Sequence, residues 1–356
     1  MKNKLLITGV GGPTPRSLAY GLKLANSLYS EISLVGTDSN PLAFGLYNKE
    51  LFDSTYLIPK AEDPEYWPSI EKIIQDESIT GAIILPEHEV LEWAKRQKHQ
   101  ALPVPSIIPP LEAANLFFNK QVLYEALEGT DLIPKFVTFK SDHFNYNEII
   151  QKTSSPFWVR GTEGSSGFGS YKISSERELN HWIFLNQDIK EFIASEFLSG
   201  RNLACKLLFY QGKLVRSACN ERVRYIMSKV APSGITGNIS FGRFLNEPAL
   251  VEVAKKTVEY IFEKVQLPPH GFFTVDLKED CDGHPKITEV NIRHIATTYC
   301  FAAAGATFGS DTLSLIWEHP TFNSNYKMYT FEEGLAFLRD VDERPILLNE
   351  KSLLAI

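Results

Sequence analysis

Two stretches late in the chain, Gly271 to Lys278 and Pro285 to Arg293, alternate apolar and polar residues and carry two carboxylates, an amide and an arginine. Alternation with a period of two marks strands with one buried face. Asp282-Gly283, the pair favoured in two-residue hairpin turns, lies between them. A hairpin closed there sets Asp276 opposite Glu289 and Thr274 opposite Asn291. Side chains two apart share a face. Asp276, Glu289, Asn291 and Arg293 therefore project together, while Phe273, Val275, Leu277, Val290 and Ile292 turn toward a core. Facing carboxylates repel unless a counter-charge intervenes. A divalent cation meets that need, and hard oxygen ligands suit magnesium. A solvated face balanced by Lys278 and Arg293 meets it too, and the hairpin alone leaves both readings open.

Other residues able to do chemistry are dispersed. Arg222 and Arg224 alternate on an expected strand and so share one face, where a guanidinium fork could grip a carboxylate. Residues Ser233 to Asn238 form a plausible substrate loop, and residues Gly161 to Ser170 are the most glycine- and serine-rich stretch in the chain. His294 beside Arg293 could orient a substrate, although a lone histidine is more often structural. Cys205, Cys219, Cys281 and Cys300 lack the spacing of a zinc site or a disulfide framework, so reduced, packed thiols in cytoplasm are expected.

The elements that must position these groups follow from pattern. Short apolar runs at Leu5 to Thr8, Ile32 to Gly36, Tyr56 to Ile58 and Ala82 to Leu85 alternate with helical stretches near Pro15 to Leu28 and Tyr66 to Gln75. Such alternation predicts a parallel sheet covered by helices. The loop Gly9 to Pro13 has Thr14 where a dinucleotide fingerprint needs its third glycine, which favours a turn or a substrate contact over nucleotide binding. Asp38 stands where a ribose-binding acid would, but Asp38-Ser39-Asn40-Pro41 is also a good turn. Prolines 103, 105, 109 and 110 mark a boundary. A helix from Leu111 to Leu127 is expected next, then strands near Phe136 to Thr138, Phe157 to Arg160 and Phe192 to Phe197, and helices near Glu176 to Asn186 and Glu247 to Lys264.

With 356 residues, 44% of them hydrophobic and 22% charged, the chain has the composition of a globular protein of two or three domains. Its net charge of −7 argues against a general nucleic-acid or membrane-surface role. No stretch approaches the roughly 20 apolar residues of a membrane helix, and the apolar run after Lys4 is short for a signal peptide.

In the order in which they occur, these pieces resemble the ATP-grasp superfamily, in its carbamoyl-phosphate-synthase-like branch of carboxylate–amine ligases, over roughly residues 1 to 315. The strongest match is Asp276 with Glu289, Asn291 and Arg293, similar to the family's metal-binding acid, E-x-N and following basic residue. The resemblance implies that Asp276, Glu289 and Asn291 hold magnesium (manganese is an alternative) on ATP, with Arg293 on phosphate. Asn119-Lys120 resembles the first phosphate-contacting lysine, and Arg160 stands where the second cation lies. Gly164 to Gly169, with Ser165, Ser166 and Gly167, looks like the loop that closes over the phosphates. Glu196-Phe197-Leu198 resembles the adenine-binding hinge. Asn202 stands where a ribose-binding glutamate is usual; an amide can still bond a ribose hydroxyl. Lys206 is also unusual, and could neutralise phosphate or snorkel from its strand.

The implied fold is α/β and α+β: a Rossmann-like pre-ATP-grasp domain (1–110), an N-terminal ATP-grasp subdomain (111–200), a C-terminal subdomain with the metal hairpin (201–325), and an extension (326–356) whose Phe331, Leu335, Phe337 and Leu338 suggest a packed helix. The implied activity is phosphorylation of a carboxylate by ATP and coupling of the acyl phosphate to an amine. Arg222 and Arg224 are candidates to grip the substrate carboxylate. The partners are small-molecule acids and amines, without nucleic acid or membrane, in a cytoplasmic protein that could be a homodimer. Bicarbonate or carbamate as the phosphorylated acid is one alternative, and a non-catalytic ATP-binding regulator is another. A dehydrogenase is disfavoured by Thr14.

Overall fold

The structure, a computed structural model, describes residues 3–24, 27–162 and 169–340. The N-terminal part runs β1 (Lys4–Thr8), α1 (Pro13–Leu22), β2 (Ser33–Asp38), β3 (Ser54–Leu57), α2 (Tyr66–Glu77), β4 (Gly81–Ile83) and α3 (Glu87–His99). Its four strands form the expected parallel sheet, in the order β3-β2-β1-β4. Buried Leu5, Leu6, Ile7, Leu34 and Val35 face helices on both sides, the usual condition of parallel strands. Gly9 turns the chain after β1 with φ near +69°, where a side chain would also collide with Pro86.

The middle part holds α4 (Leu111–Phe118), α5 (Lys120–Ala126), β5 (Phe136–Lys140), α6 (Tyr146–Thr153), β6 (Phe157–Gly161), β7 (Tyr171–Ile173), α7 (Glu176–Leu185) and β8 (Glu191–Glu196). The single helix expected from Leu111 to Leu127 is two helices. Asn119 adopts extended geometry, and its side chain caps the second helix by accepting from Gln121 N at 2.8 Å and Val122 N at 3.2 Å. That break places Lys120 at a helix start. The four strands pair antiparallel as β5-β8-β6-β7.

The rest comprises β9 (Asn202–Tyr210), β10 (Lys213–Tyr225), β11 (Ile239–Leu245), α8 (Pro248–Lys264), β12 (Gly271–Glu279), β13 (Pro285–Asn291), α9 (Thr298–Ala303), α10 (Phe308–Ile316), β14 (Lys327–Met328) and β15 (Ala336–Leu338). One sheet runs β13-β12-β9-β10-β11-β15, with β14 beside β10. Over the described residues of the C-terminal extension, 326–340, two short strands stand in place of the expected helix, and residues 341–356 lie outside the described residues. Phe337 packs on Phe244 and Phe331 stacks on it at 4.5 Å, so the sheet edge claims side chains whose spacing looked helical. Tertiary contact overrides a short periodic pattern.

The largest core joins the parts instead of separating them. Tyr66, Ile70 and Trp93 of the first sheet's helices share it with Phe117 and Leu123, and with Leu207, Phe273, Val275 and Val290 of the long sheet. Returning near the end, α10 sends Leu313 and Ile316 into the N-terminal core, and Trp317 donates to Thr80 O at 3.0 Å. Among the described residues, no helix is long and apolar enough to cross a membrane.

The N-terminal sheet is also fastened by Glu77, which accepts from Lys4 Nζ at 2.7 Å and Tyr56 Oη at 2.5 Å. The Lys4 bond, foremost, holds its carboxyl at about 2, below the usual 4.5. A depressed folded pKa gives stability that is complete above the unfolded value and is lost as pH falls toward the folded one. We expect unfolding free energy to drop by about 2 kcal/mol more in wild type than in Glu77→Gln between pH 5 and pH 2.5. Parallel acid titrations of the two proteins would refute this assignment.

Candidate active site

The expected opposition of carboxylates is present, reached by a different route from a two-residue turn. Glu279 pairs with Pro285, and Asp280 N donates to His284 O, leaving the three-residue loop Cys281 to Gly283 with Gly283 at φ near +83°. A one-residue change in loop length would shift every partner. However, Leu277 pairs with Ile287 and Asp276 with Glu289, so Thr288 is an extra residue. Its hydroxyl donates to Asp276 O at 3.1 Å. This bulge cancels the shift, and Asp276 faces Glu289 and Thr274 faces Asn291.

Both carboxylates open into a cleft between the antiparallel lobe and the long sheet, which Lys120, Arg160 and Arg222 also line. Arg160, at the end of β6, is 8% exposed and lies over the Tyr124 ring at 4.9 Å. Among the described residues, its Nε and Nη2 are buried without a hydrogen-bond partner, as is Nε of Arg222. Lys120 Nζ stands 3.5 Å from Glu289 Oε2, and an Arg222 Nη2 pairs with Asp276 Oδ1. Burial pushes the Asp276 carboxyl up to about 7 despite Arg222 beside it. Burial would raise Glu289 as well, but Lys120, Arg160 and Arg222 outweigh it and hold that carboxyl below its ordinary range. Facing acids driven apart in this way are the mark of a shared charge site.

The other end of the cleft is built where β8 passes into β9. Glu196, Phe197 and Leu198 line it with Trp158, whose ring lies 6.4 Å from that of Phe197. Asn202 lines it too, and accepts from Lys278 Nζ at 3.3 Å while the same ammonium donates to Gly200 O at 2.9 Å. The cleft thus has a flat, largely apolar end and a cationic end.

Several expected residues lie elsewhere. Arg222 and Arg224 do not share a face: pairing with β11 skips Val223 and then Ser240, which breaks the alternation. Arg224 is exposed and outside the cleft lining. Asn291, by contrast, stays beside the carboxylates and donates to Glu289 Oε1 at 3.2 Å. Arg293 reaches the N-terminal part, with Nη2 3.3 Å from Glu87 Oε1 at the start of α3. Ser165, Ser166 and Gly167 lie outside the described residues. His294 is stacked on Phe272 at 3.7 Å and fully enclosed, so burial holds it neutral and it serves packing. Lys206 does not snorkel: it is wholly buried near Thr298 and the Phe301 ring, and burial lowers its pKa to about 7. Trp158, Tyr124 and Glu87, two aromatics and a carboxylate at the start of α3, were not legible in the sequence because their neighbours come from distant segments. Asp280, Asp282 and His284 also gather at the hairpin turn, where Asp280 Oδ1 accepts backbone N–H bonds from the other two.

Comparison with solved structures accords with this arrangement. The L-amino acid ligase of Bacillus licheniformis aligns at a TM-score of 0.64 and 16% identity, covering 88% of this chain and 74% of that one. The ADP complex of N5-carboxyaminoimidazole ribonucleotide synthetase aligns at 0.62 and 17%, covering 91% and 79%. D-alanine–D-alanine ligase of Bacillus anthracis aligns at 0.57 and 15%, covering 89% and 96%. The chain has an ATP-grasp fold. No protein-family model matches the sequence, and no curated protein matches it.

Within this cleft, Arg222 is the counter-charge of Asp276. Removing one partner of a buried pair costs about 3–5 kcal/mol. We expect Arg222→Met to lose about 3 kcal/mol at pH 8 in urea unfolding and Asp276→Asn with Arg222→Met to recover part of that loss. A double variant no more stable than the single one would show that the pair is not the cause.

Proposed function

We propose that the protein is an ATP-dependent carboxylate–amine ligase. The observation that carries this reading is one cleft in which Asp276 and Glu289 face each other beside a buried arginine, Arg160, with two unpartnered nitrogens. Unsatisfied buried donors cost free energy, so they point to an anion that completes them. Opposed carboxylates next to an anion point to a cation between the two. The solved structures that share the fold include an ADP complex and enzymes named as ligases of amino acids.

In this reading the adenine lies against Phe197, Leu198 and Trp158, with Asn202 toward the ribose. Lys120 and Arg160 take the phosphates. Asp276, Glu289 and Asn291 would hold magnesium, which would supply positive charge where the phosphoryl group transfers. A substrate carboxylate oxygen attacks the γ-phosphorus and the bond to ADP breaks. The amine then attacks the acyl carbon, phosphate leaves, and the amine loses a proton. Arg222 and Arg293 neutralise the anions brought together. Glu87 holds Arg293 from the N-terminal part. No side-chain nucleophile is needed.

An ADP-release screen over pooled amino acids, small acids, amines and bicarbonate, run with magnesium, tests the proposal. We expect turnover to require both an acid and an amine and to fall at least 100-fold in Glu289→Gln. Arg160→Met should weaken ATP binding about 10-fold or more, as expected for a lost charge-assisted contact. Bicarbonate-dependent release without an amine would identify the phosphorylated acid as bicarbonate instead. ATP binding that ignores both substitutions would remove the basis of the reading.

A further inference from the structure

Between the apolar and cationic ends of the cleft, β9 and β12 form the wall. Ala204 pairs with Asp276, and Asn202, two residues earlier on β9, pairs with Lys278. Residues two apart on a strand share a face and are separated by about 7 Å. Asn202 and Lys278 both line the cleft, one such step from Asp276 toward Leu198. A nucleotide with its base at Leu198 and its phosphates at Asp276 therefore sets its sugar against this pair.

The pair turns hydrogen-bond donors to the cleft. Lys278 Nζ stands 3.3 Å from Asn202 Oδ1 and 2.9 Å from Gly200 O. An ammonium only donates, so the amide atom facing it must be the carbonyl oxygen, and Asn202 has its NH2 group left for a sugar. Lys278 spends two of its three N–H bonds on these oxygens and keeps the third. The acid that follows it on β12 is engaged elsewhere: both oxygens of Glu279 accept from Arg201. Glu196, at the end of β8, also lines the cleft and is the competing source of an acceptor.

Resting on the ligase reading, we infer that the bound nucleotide's sugar is recognised through the lone pairs of its 2′ and 3′ oxygens, with Asn202 as the specificity-determining residue and Lys278 as the residue that fixes its amide. The nucleotide class admitted is then wider than free ribose. Adenosine triphosphates with a substituted 2′ or 3′ oxygen keep the lone pairs and bind, whereas deoxy forms lose a partner. A carboxylate in the place of Asn202 would have the opposite requirement, because it can only accept and needs the hydroxyl proton.

Calorimetric titration with magnesium and ATP, 2′-O-methyl-ATP, 3′-O-methyl-ATP, 2′-deoxy-ATP or 3′-deoxy-ATP tests this. At one or both positions the O-methyl form should bind wild type within about 3-fold of ATP, and the deoxy form about 5-fold or more weaker than the O-methyl form, as for one lost hydrogen bond. In Asn202→Asp that preference should vanish, because the O-methyl form loses its partner as well. In Lys278→Met the released amide can turn its oxygen to a hydroxyl, so the preference should shrink to about 2-fold or less. A merely structural role for Lys278 would instead weaken all five nucleotides alike and leave the preference in place, which refutes its positioning role. O-methyl forms that bind wild type no better than deoxy forms overturn the inference. So does a preference unchanged in both variants, or an O-methyl penalty relieved in Glu196→Gln, which would assign the sugar to Glu196. Wild type that binds none of the five refutes the ligase reading instead.

Discussion

The repulsion between Asp276 and Glu289, set face to face on β12 and β13, governs the arrangement around it. Neither carboxylate can be left without a nearby cation in a partly dry cleft, because an uncompensated buried charge costs several kcal/mol. The compensating groups come from three separate places. Lys120 is delivered by the helix start that Asn119 creates, Arg160 by the end of β6, and Arg222 by β10. The position of each of these elements is therefore answerable to one register pair. The pairing itself is secured from below, where Val275, Leu277, Ile287 and Val290 are buried in the main core.

That core explains why the N-terminal sheet cannot be treated as an independent body. Helices α2 and α3 bury Ile70, Val90 and Trp93 against the same cluster that supports β12 and β13. Arg293, two residues beyond the end of β13, then meets Glu87 at the first turn of α3. Any movement of the N-terminal sheet would pull on the strand that carries the carboxylates. Coupling of this kind, through packed elements and a charged contact, would suit the proposed ligase, whose site would have to bring a nucleotide and other substrates together.

Buried polar groups inside the long sheet follow a different logic. Arg216 pairs with Asp311 and donates to Asn323 O and Asn325 O, tying α10 and the following loop to β10. Cys205 and Cys219 sit directly opposite each other on β9 and β10, fully enclosed, with thiols that burial holds protonated at Cys205. These groups stabilise the sheet on which the cleft is built and do not enter it.

Local pattern was enough to determine the hairpin strands, the parallel sheet, most helices and the clustering of Asp276, Glu289 and Asn291, because periods of two and 3.6 express which face is buried. It was not enough for features set by irregular pairing. The three-residue loop and the bulge at Thr288 are each one residue long and opposite in effect, so the expected opposition survived although its route did not. At Val223 a similar irregularity had no such partner within the alternation, and Arg222 and Arg224 parted. The break at Asn119, the strand at Ala336–Leu338, the Arg293–Glu87 contact and the Lys278–Asn202 bond were decided only by tertiary structure. Each depends on groups far apart in sequence, and neither propensity nor spacing carries information about which distant segment will arrive.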